Sequence, residues 1–192
     1  RVGMQRGFSA FLPPEMMGAH IGASPSHATG RQQAMAFRGA VASMGHMGVE
    51  LDPAALTDDE RAELVRWVAF SKTWRHLLHG SEITLGEGSD GLRWQALGTP
   101  AHKLLYCVRT DPPLDRRPQP LPLSFAASVP AWDIRLLEVA EEPGHGLPRA
   151  HLFDPMAREP VRYTGSWLAQ AGLPLPVQKA ESVAIFELVA AS

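Results

Sequence analysis

The feature that most constrains this chain is a change in its sequence pattern near residue 81. Before that point, apolar runs of strand length alternate with runs of helix-forming residues. After it, short apolar runs follow one another between turns, and 13 of the 17 prolines lie there. The first pattern is typical of parallel α/β structure, and the second of an antiparallel sandwich or barrel. The sequence therefore predicts two parts, residues 1–80 and residues 81–192.

The first part predicts two strand–helix units. Residues 7–12, an apolar run closed by two prolines, predict a buried strand, and residues 31–44 predict a helix. Residues 47–51 predict the next strand. In the helix that follows, Thr57 and Glu60 are spaced as a capping box, and Gly80 suits the position after its last turn. Its predicted apolar face consists of Leu64, Val65, Val68, Trp74, Leu77 and Leu78.

The second part predicts an antiparallel sheet with strands at residues 83–85, 92–97, 104–108, 121–125, 134–139 and 183–189. A turn is expected at residues 142–144, and the two histidines that flank the Pro/Gly-rich stretch after it, His145 and His151, are expected to be exposed. Cys107 is the only cysteine, which excludes an intrachain disulfide. Because it lies within an apolar run, we expect a buried and unreactive thiol.

Composition excludes several classes of function. The net charge is -2 and basic residues are scattered, which gives no electrostatic reason to expect nucleic acid or an anionic membrane as a partner. No apolar run approaches the roughly 20 residues that span a bilayer. The chain begins with Arg1 and not with Met, so we expect a piece of a longer protein. We expect a cytoplasmic protein, with secretion left open.

The segment from residue 17 to residue 31 is the best candidate for a binding site. It contains two histidines seven residues apart, His20 and His27, with Ser24 and Ser26 between them. These side chains could hydrogen-bond a polyhydroxylated ligand, or they could tie the segment to its own backbone, which composition alone favours. A metal site made of His20, His27 and His46 lacks a compact ligand spacing.

Two further groups of residues could carry chemistry. Glu50 and Asp52 end a predicted strand, and two carboxylates on one side could form a glycosidase site. The structural interpretation, which we favour, is that Asp52 caps the turn at Pro53 while Glu50 pairs with a basic neighbour. For the tryptophans, we favour packing over a sugar platform. They are Trp67, Trp74, Trp94, Trp132 and Trp167.

The same segment resembles a signature of the family 36 glycoside hydrolases, the raffinose- and melibiose-type α-galactosidases, whose typical run is M-G-[AS]-H-V-S-A-x-P-N-H-Q-T-G-R. Ser26, Ala28 and Gly22 depart from it, and each shortens or removes a hydrogen-bonding side chain. The resemblance continues through residues 38–39 and 48–52 and returns at residues 171–176. The matching positions are Met17, Gly18, Ala19, His20, Ala23, Pro25, His27, Thr29, Gly30 and Arg31.

The resemblance implies an architecture and a mechanism. Residues 1–80 would be the last two βα units of a (β/α)8 barrel, followed by a C-terminal antiparallel β-sandwich domain. The family hydrolyses terminal α-galactosyl residues with retention, using two aspartates in K-W-D and S-D-x-T-D motifs. Neither motif occurs in this chain. The resemblance thus implies no catalytic residue here, and an isolated chain that is inactive.

By the same resemblance, His20, Ser24 and His27 are expected at the rim of the substrate pocket, with no metal ligand and no cofactor. The expected partners are α-galactoside oligosaccharides, the missing N-terminal part of the same chain, and a second copy in a homo-oligomer. Two alternatives stay open. The second part could be a carbohydrate-binding or structural β-module, or the enzyme could transfer galactose between sugars.

Overall fold

The computed structural model describes residues 2–114, 117–141 and 155–191. The predicted turn at residues 142–144, together with His145 and His151, lies outside these ranges. The described strands form two sheets, a parallel pair and a six-stranded antiparallel sheet. Within the described ranges, no helix is long and apolar enough to cross a membrane.

The first part contains α1 (Val2–Ser9), β1 (Gly18–Gly22), α2 (Met35–Ala42), β2 (His46–Glu50) and α3 (Asp58–Leu78). The strands β1 and β2 pair in parallel, with His20 opposite Gly48 and Gly22 opposite Glu50. The predicted order of strand, helix, strand and helix is therefore present, beginning at β1.

The predicted strand at residues 7–12 is wrong, because this stretch ends a helix and continues into a turn. Helix α1 buries Val2 and Gln5, one turn apart, and Gln5 Nε2 donates to Val41 O at 3.2 Å. Phe11 is 89% exposed, so the apolar run does not enter the core. The first strand, β1, lies instead within the segment from residue 17 to residue 31, where the sequence pattern predicts no strand. It escaped notice because only Ala19 and Ile21 are apolar and buried, separated by His20.

Helix α3 begins as predicted. Thr57 Oγ1 accepts from Glu60 N at 3.2 Å, and Glu60 Oε2 accepts from Thr57 N at 3.2 Å, which completes the capping box. Gly80, just after the helix, has a φ of +67°, where glycine is favoured. The predicted apolar face was wrong at Val65, which is 64% exposed. The buried face of α3 includes Trp67 instead, which is fully buried and packs against Gly39 of α2.

The second part forms β3 (Glu82–Glu87), β4 (Arg93–Gly98), β5 (His102–Arg109), β6 (Ala131–Ala140), β7 (Val161–Thr164), α4 (Gly165–Gln170) and β8 (Ser182–Ala191). The order across the sheet is β3-β4-β5-β8-β6-β7, and the neighbouring strands whose registers are defined run antiparallel. Five of the six predicted strands are confirmed. A sandwich needs a second sheet, and the six described strands of this part all belong to one.

The predicted strand at residues 121–125 is wrong. Leu121 makes only an isolated bridge to Leu173, and a short 3-10 helix covers Ser124–Ser128. The reason is local, since Pro120 and Pro122 on either side have no N–H group with which to extend a ladder. The short strand β7 was missed, and it occupies the outer position beside β6.

The antiparallel sheet is buried on both faces, and its strands alternate between two apolar clusters. On β5, Leu104, Tyr106 and Val108 contact the cluster shared with α2 and α3, whereas Leu105 and Cys107 contact the cluster on the other face. Ser43 after α2 lies within hydrogen-bonding distance of Tyr106, at 3.2 Å between the hydroxyl oxygens. One core is thus continuous across residue 81, and the division into two domains stays a prediction.

Candidate functional site

The candidate site lies at the carboxyl ends of β1 and β2. In parallel sheets that are covered by helices, the loops at this edge carry binding and catalytic residues. Here the edge is followed by residues 23–34, which connect β1 to α2 and which we call the β1–α2 loop. Ser24 and His27 lie on this loop, and His20 lies inside β1.

One face of the parallel pair is polar and exposed. Ala19 and Ile21 are buried on the helix side, so His20 projects from the opposite face. A Cβ atom on Gly48 would lie 2.5 Å from His20 Cδ2, so the glycine leaves room for the imidazole ring. His20 Nδ1 lies 3.4 Å from Glu50 Oε2, at the end of β2. This face therefore presents an imidazole–carboxylate pair to solvent.

The structural interpretation of Glu50 and Asp52 is confirmed. The basic neighbour of Glu50 is His20, and Asp52 Oδ1 accepts from Ala54 N at 2.9 Å at the start of a short 3-10 helix. Both carboxylates have structural partners.

The β1–α2 loop is held together by hydrogen bonds of its own. Ser24 Oγ accepts from Gln33 N at 3.1 Å, so this predicted ligand-binding hydroxyl also ties the loop to its backbone. Ser26 N donates to Arg31 O at 2.9 Å, and Gly30 N donates to Ser26 O at 2.8 Å. His27 lies between these bonds and is exposed. Of the predicted site residues on the loop, His27 is the one presented most openly to solvent.

A buried arginine that sequence reasoning missed fixes the start and end of the loop. Arg38 of α2 is 9% exposed; its Nη1 donates to Gly22 O, and its Nε donates to Gln33 O at 3.0 Å. Its Nη2 lies 3.8 Å from Glu60 Oε1 in the first turn of α3. A planar guanidinium has five N–H donors spread over three nitrogens, so it reaches three separated acceptors in different directions, whereas the donors of a lysine all lie on one nitrogen. The available signal was a cation within an apolar helix.

A second missed residue, Glu181, reaches the loop from the other part of the chain. Its Oε1 accepts from Gln33 Nε2 at 2.9 Å and forms an ion pair with Arg31 Nη2. No local pattern predicts a contact across 148 positions of sequence.

Behind the loop is a cavity of about 780 Å³ between the loop, α3 and β6. Ser24 lines it together with five carboxylates, and Arg66 crosses it to bond Glu63 and Glu138. The carboxylates are those of Asp59, Glu60, Glu63, Glu138 and Glu141.

Other candidates have structural roles. Across the described ranges, no three His, Cys, Asp or Glu side chains are grouped so as to hold a metal ion, and His46 stacks on His79 with ring centroids 5.3 Å apart. Cys107 is buried, as predicted, and burial raises the pKa of its thiol. Trp67, Trp94 and Trp132 are buried as predicted, whereas Trp167 is 54% exposed.

Comparisons with known proteins agree with these observations. Residues 1–80 match the family model described as Melibiase. An α-galactosidase from Escherichia coli is 34% identical over 196 residues, an alignment that covers 98% of this chain and 27% of that protein.

Solved structures show the same fold along the whole chain. The α-galactosidase AgaA from Geobacillus stearothermophilus, solved with stachyose, has a TM-score of 0.73 at 24% identity, covering 100% of this chain and 24% of that chain. For the Lactobacillus brevis α-galactosidase the TM-score is 0.76 at 22% identity, with 100% and 25% covered. The chain thus spans about a quarter of the length of these relatives. The resemblance found in the sequence is confirmed, and the chain is related in sequence and fold to part of the family 36 α-galactosidases.

Proposed function

We propose that this chain is the C-terminal part of a retaining α-galactosidase that hydrolyses terminal α-D-galactosyl residues of oligosaccharides. Residues 1–80 contribute the last two βα units of a (β/α)8 barrel, and residues 81–192 contribute a C-terminal β-domain. The two catalytic aspartates lie outside this chain. The partners are an N-terminal part of the same protein and α-galactosides such as raffinose-type sugars.

The observation that carries this proposal is the exposed face of the parallel pair. A parallel sheet is stable when both of its faces are covered, yet among the described residues helices cover β1 and β2 on the side of Ile21, whereas His20 and Glu50 on the other side are exposed. The open face holds His20 and Glu50 together with Gly18, Gly22 and Gly48, and Glu50 ends its strand at the carboxyl edge, where (β/α)8 barrels place their sites. Further strands beside this pair would enclose the face.

Within this barrel, the β1–α2 loop forms part of the pocket rim. His27 is exposed at the loop surface, where its ring nitrogens are available to sugar hydroxyls. Ser24 keeps donor capacity while its oxygen accepts from Gln33 N. His20 lies deeper, on the strand, and orients Glu50 through their contact.

The absence of the catalytic pair is tested with the 192-residue chain alone. We expect no hydrolysis of an aryl α-galactoside above a denatured-protein blank. Turnover clearly above that blank would mean that the catalytic carboxylates are in this chain.

The rim is tested in a chimera in which residues 1–192 replace the matching segment of the Escherichia coli α-galactosidase. We expect the chimera to hydrolyse the aryl α-galactoside, and His27→Ala to raise KM roughly threefold to tenfold, the loss of about one hydrogen bond. Ser128→Ala is the matched control, because its hydroxyl donates to Phe125 O at 2.8 Å in the other part of the chain, away from the β1–α2 loop. A folded chimera without activity would contradict the proposed function, and an unchanged KM in His27→Ala would remove His27 from the rim.

A further inference from the structure

We infer that Glu181, which precedes β8 in the antiparallel sheet, is a positioning residue that sets the conformation of the β1–α2 loop. This inference rests on the proposed function, since the loop matters as part of the pocket rim. Glu181 is distant in sequence from every residue with a predicted role in binding. It acts through Gln33 and Arg31, without touching the sugar itself.

The first argument is the set of contacts at one carboxylate oxygen. Glu181 Oε1 accepts from Gln33 Nε2 at 2.9 Å and pairs with Arg31 Nη2, so both residues at the end of the loop meet at a single atom. The Glu181 side chain is 20% exposed, whereas that of Arg31 is 61% exposed. The hydrogen bond to Gln33 is the less solvated of the two interactions and carries more of the restraint.

The second argument is that Gln33 is held from three directions. Its side chain is bound by Glu181, its carbonyl oxygen by Arg38 Nε at 3.0 Å, and its N–H by Ser24 Oγ at 3.1 Å. Removal of Glu181 leaves the two restraints that come from the same part of the chain. The contact from the antiparallel sheet is then lost, together with the ion pair to Arg31.

The third argument is that the segment carrying Glu181 is firmly anchored. Gln178 is 4% exposed and donates through Nε2 to Cys107 O of β5 at 3.0 Å and to Ser182 Oγ at 3.3 Å. Ser182 Oγ in turn donates to Lys179 O at 2.7 Å. These bonds fix the turn from residue 178 to residue 182 to the centre of the sheet. A rigid turn can hold a loop in place, which a flexible one cannot.

The fourth argument is the backbone of Glu181 itself. Its φ is +54°, a left-handed conformation that is unfavourable for a glutamate and acceptable to glycine. A strained residue at a contact between two parts of a molecule is a recognised pointer to function. It also provides a clean test, since Glu181→Gly removes the carboxylate while it relieves the backbone.

The test measures amide hydrogen exchange in the 192-residue chain. The reporters are the N–H groups of Ser26, Gly30 and Gln33, all hydrogen-bonded inside the loop. We expect Glu181→Gly to speed their exchange roughly tenfold while amides of β5 and β8 keep their rates. Glu181→Gln, which retains an acceptor for Gln33 and loses the ion pair, should restore most of the protection. Glu159→Ala, an exposed glutamate outside the loop contacts, is the control.

Unchanged exchange in Glu181→Gly would overturn the inference, as would equal acceleration in β5 and β8, which would indicate general destabilisation. In the chimera, Glu181→Gly should raise KM with kcat unchanged, and Glu181→Gln should bring KM back towards the parent value. A fall in kcat at constant KM would contradict a role in positioning the rim. Because exchange is measured without substrate, an inactive chimera would refute the proposed function alone.

Discussion

The packing of Gly39 against Trp67 yields the sharpest prediction. Gly39 is buried in α2, and a Cβ atom there would lie 2.8 Å from Trp67 Cδ2 and closer still to two other ring atoms. The ring cannot retreat, because Trp67 is fully buried and its Nε1 donates to Glu63 Oε1 at 2.8 Å. Arg66 covers the ring at 4.8 Å from its centroid.

Two effects oppose each other in Gly39→Ala. Alanine is favoured over glycine within a helix by about 1 kcal/mol. Overpacking a rigid core costs about 1–3 kcal/mol and occasionally more, and the overlap with several atoms of an immobile ring places this site at the upper end. The clash therefore wins, and the free energy of unfolding should fall by about 2 kcal/mol.

The matched control is Gly7→Ala in α1, because an added Cβ atom there meets no atom within 4 Å. This variant should gain about 0.5–1 kcal/mol. Urea unfolding followed by far-UV circular dichroism would measure the free energy of unfolding of both variants, and we expect their m-values to be similar. If Gly39→Ala were as stable as Gly7→Ala, the packing argument would fail. Partial rescue of Gly39→Ala by Trp67→Leu would locate the clash at the indole ring.

Two other predictions concern α3 and its end. Thr57→Ala should lower the free energy of unfolding by about 1 kcal/mol, since it removes the side-chain acceptor for Glu60 N, and Thr57→Ser should restore nearly all of it in the same urea titration. Burial, then the neighbouring His46, lowers the pKa of His79 from 6.5, while Glu15 opposes the shift. The unfolded chain therefore binds this proton more tightly than the folded chain does. The contribution of neutral His79 to the free energy of unfolding is fully present above pH 6.5 and is lost as the pH falls towards the pKa of the folded state. In urea titrations between pH 7 and pH 5, His79→Gln should lose less of its free energy of unfolding than the parent chain. An identical pH profile for the two proteins would contradict the role of His79.

What could be predicted from the sequence depends on how local the signal is. The capping box, Gly80 and five antiparallel strands depend on nearby residues, and all are confirmed. Strand β1 was missed because three of its five residues are glycine or histidine, which suit an open face and hide the apolar alternation. The strand predicted at residues 7–12 is wrong for the opposite reason, since Phe11 and Leu12 are apolar yet exposed.

The candidate site shows the same division. The segment from residue 17 to residue 31 was identified from its histidines and serines, and the pairing of Glu50 with a basic neighbour was anticipated. The restraints on the loop were not anticipated, because Arg38 acts from inside a helix and Glu181 acts across most of the chain. Sequence patterns indicate which residues are suited to bind a ligand. The residues that hold them in place are set by tertiary packing.

The shared core also bears on whether residues 81–192 could act alone as a binding module. One face of the antiparallel sheet is covered by α2 and α3, so removing residues 1–80 would expose several large apolar side chains. Each is worth about 1.5–3 kcal/mol of burial, which together is comparable to the whole stability of a domain. We therefore expect residues 81–192 alone to aggregate or to unfold at low urea. A cooperative, monomeric fold would reopen the possibility of an independent module. The side chains that would be exposed are Leu97, Leu104, Tyr106, Val108, Val183 and Ile185.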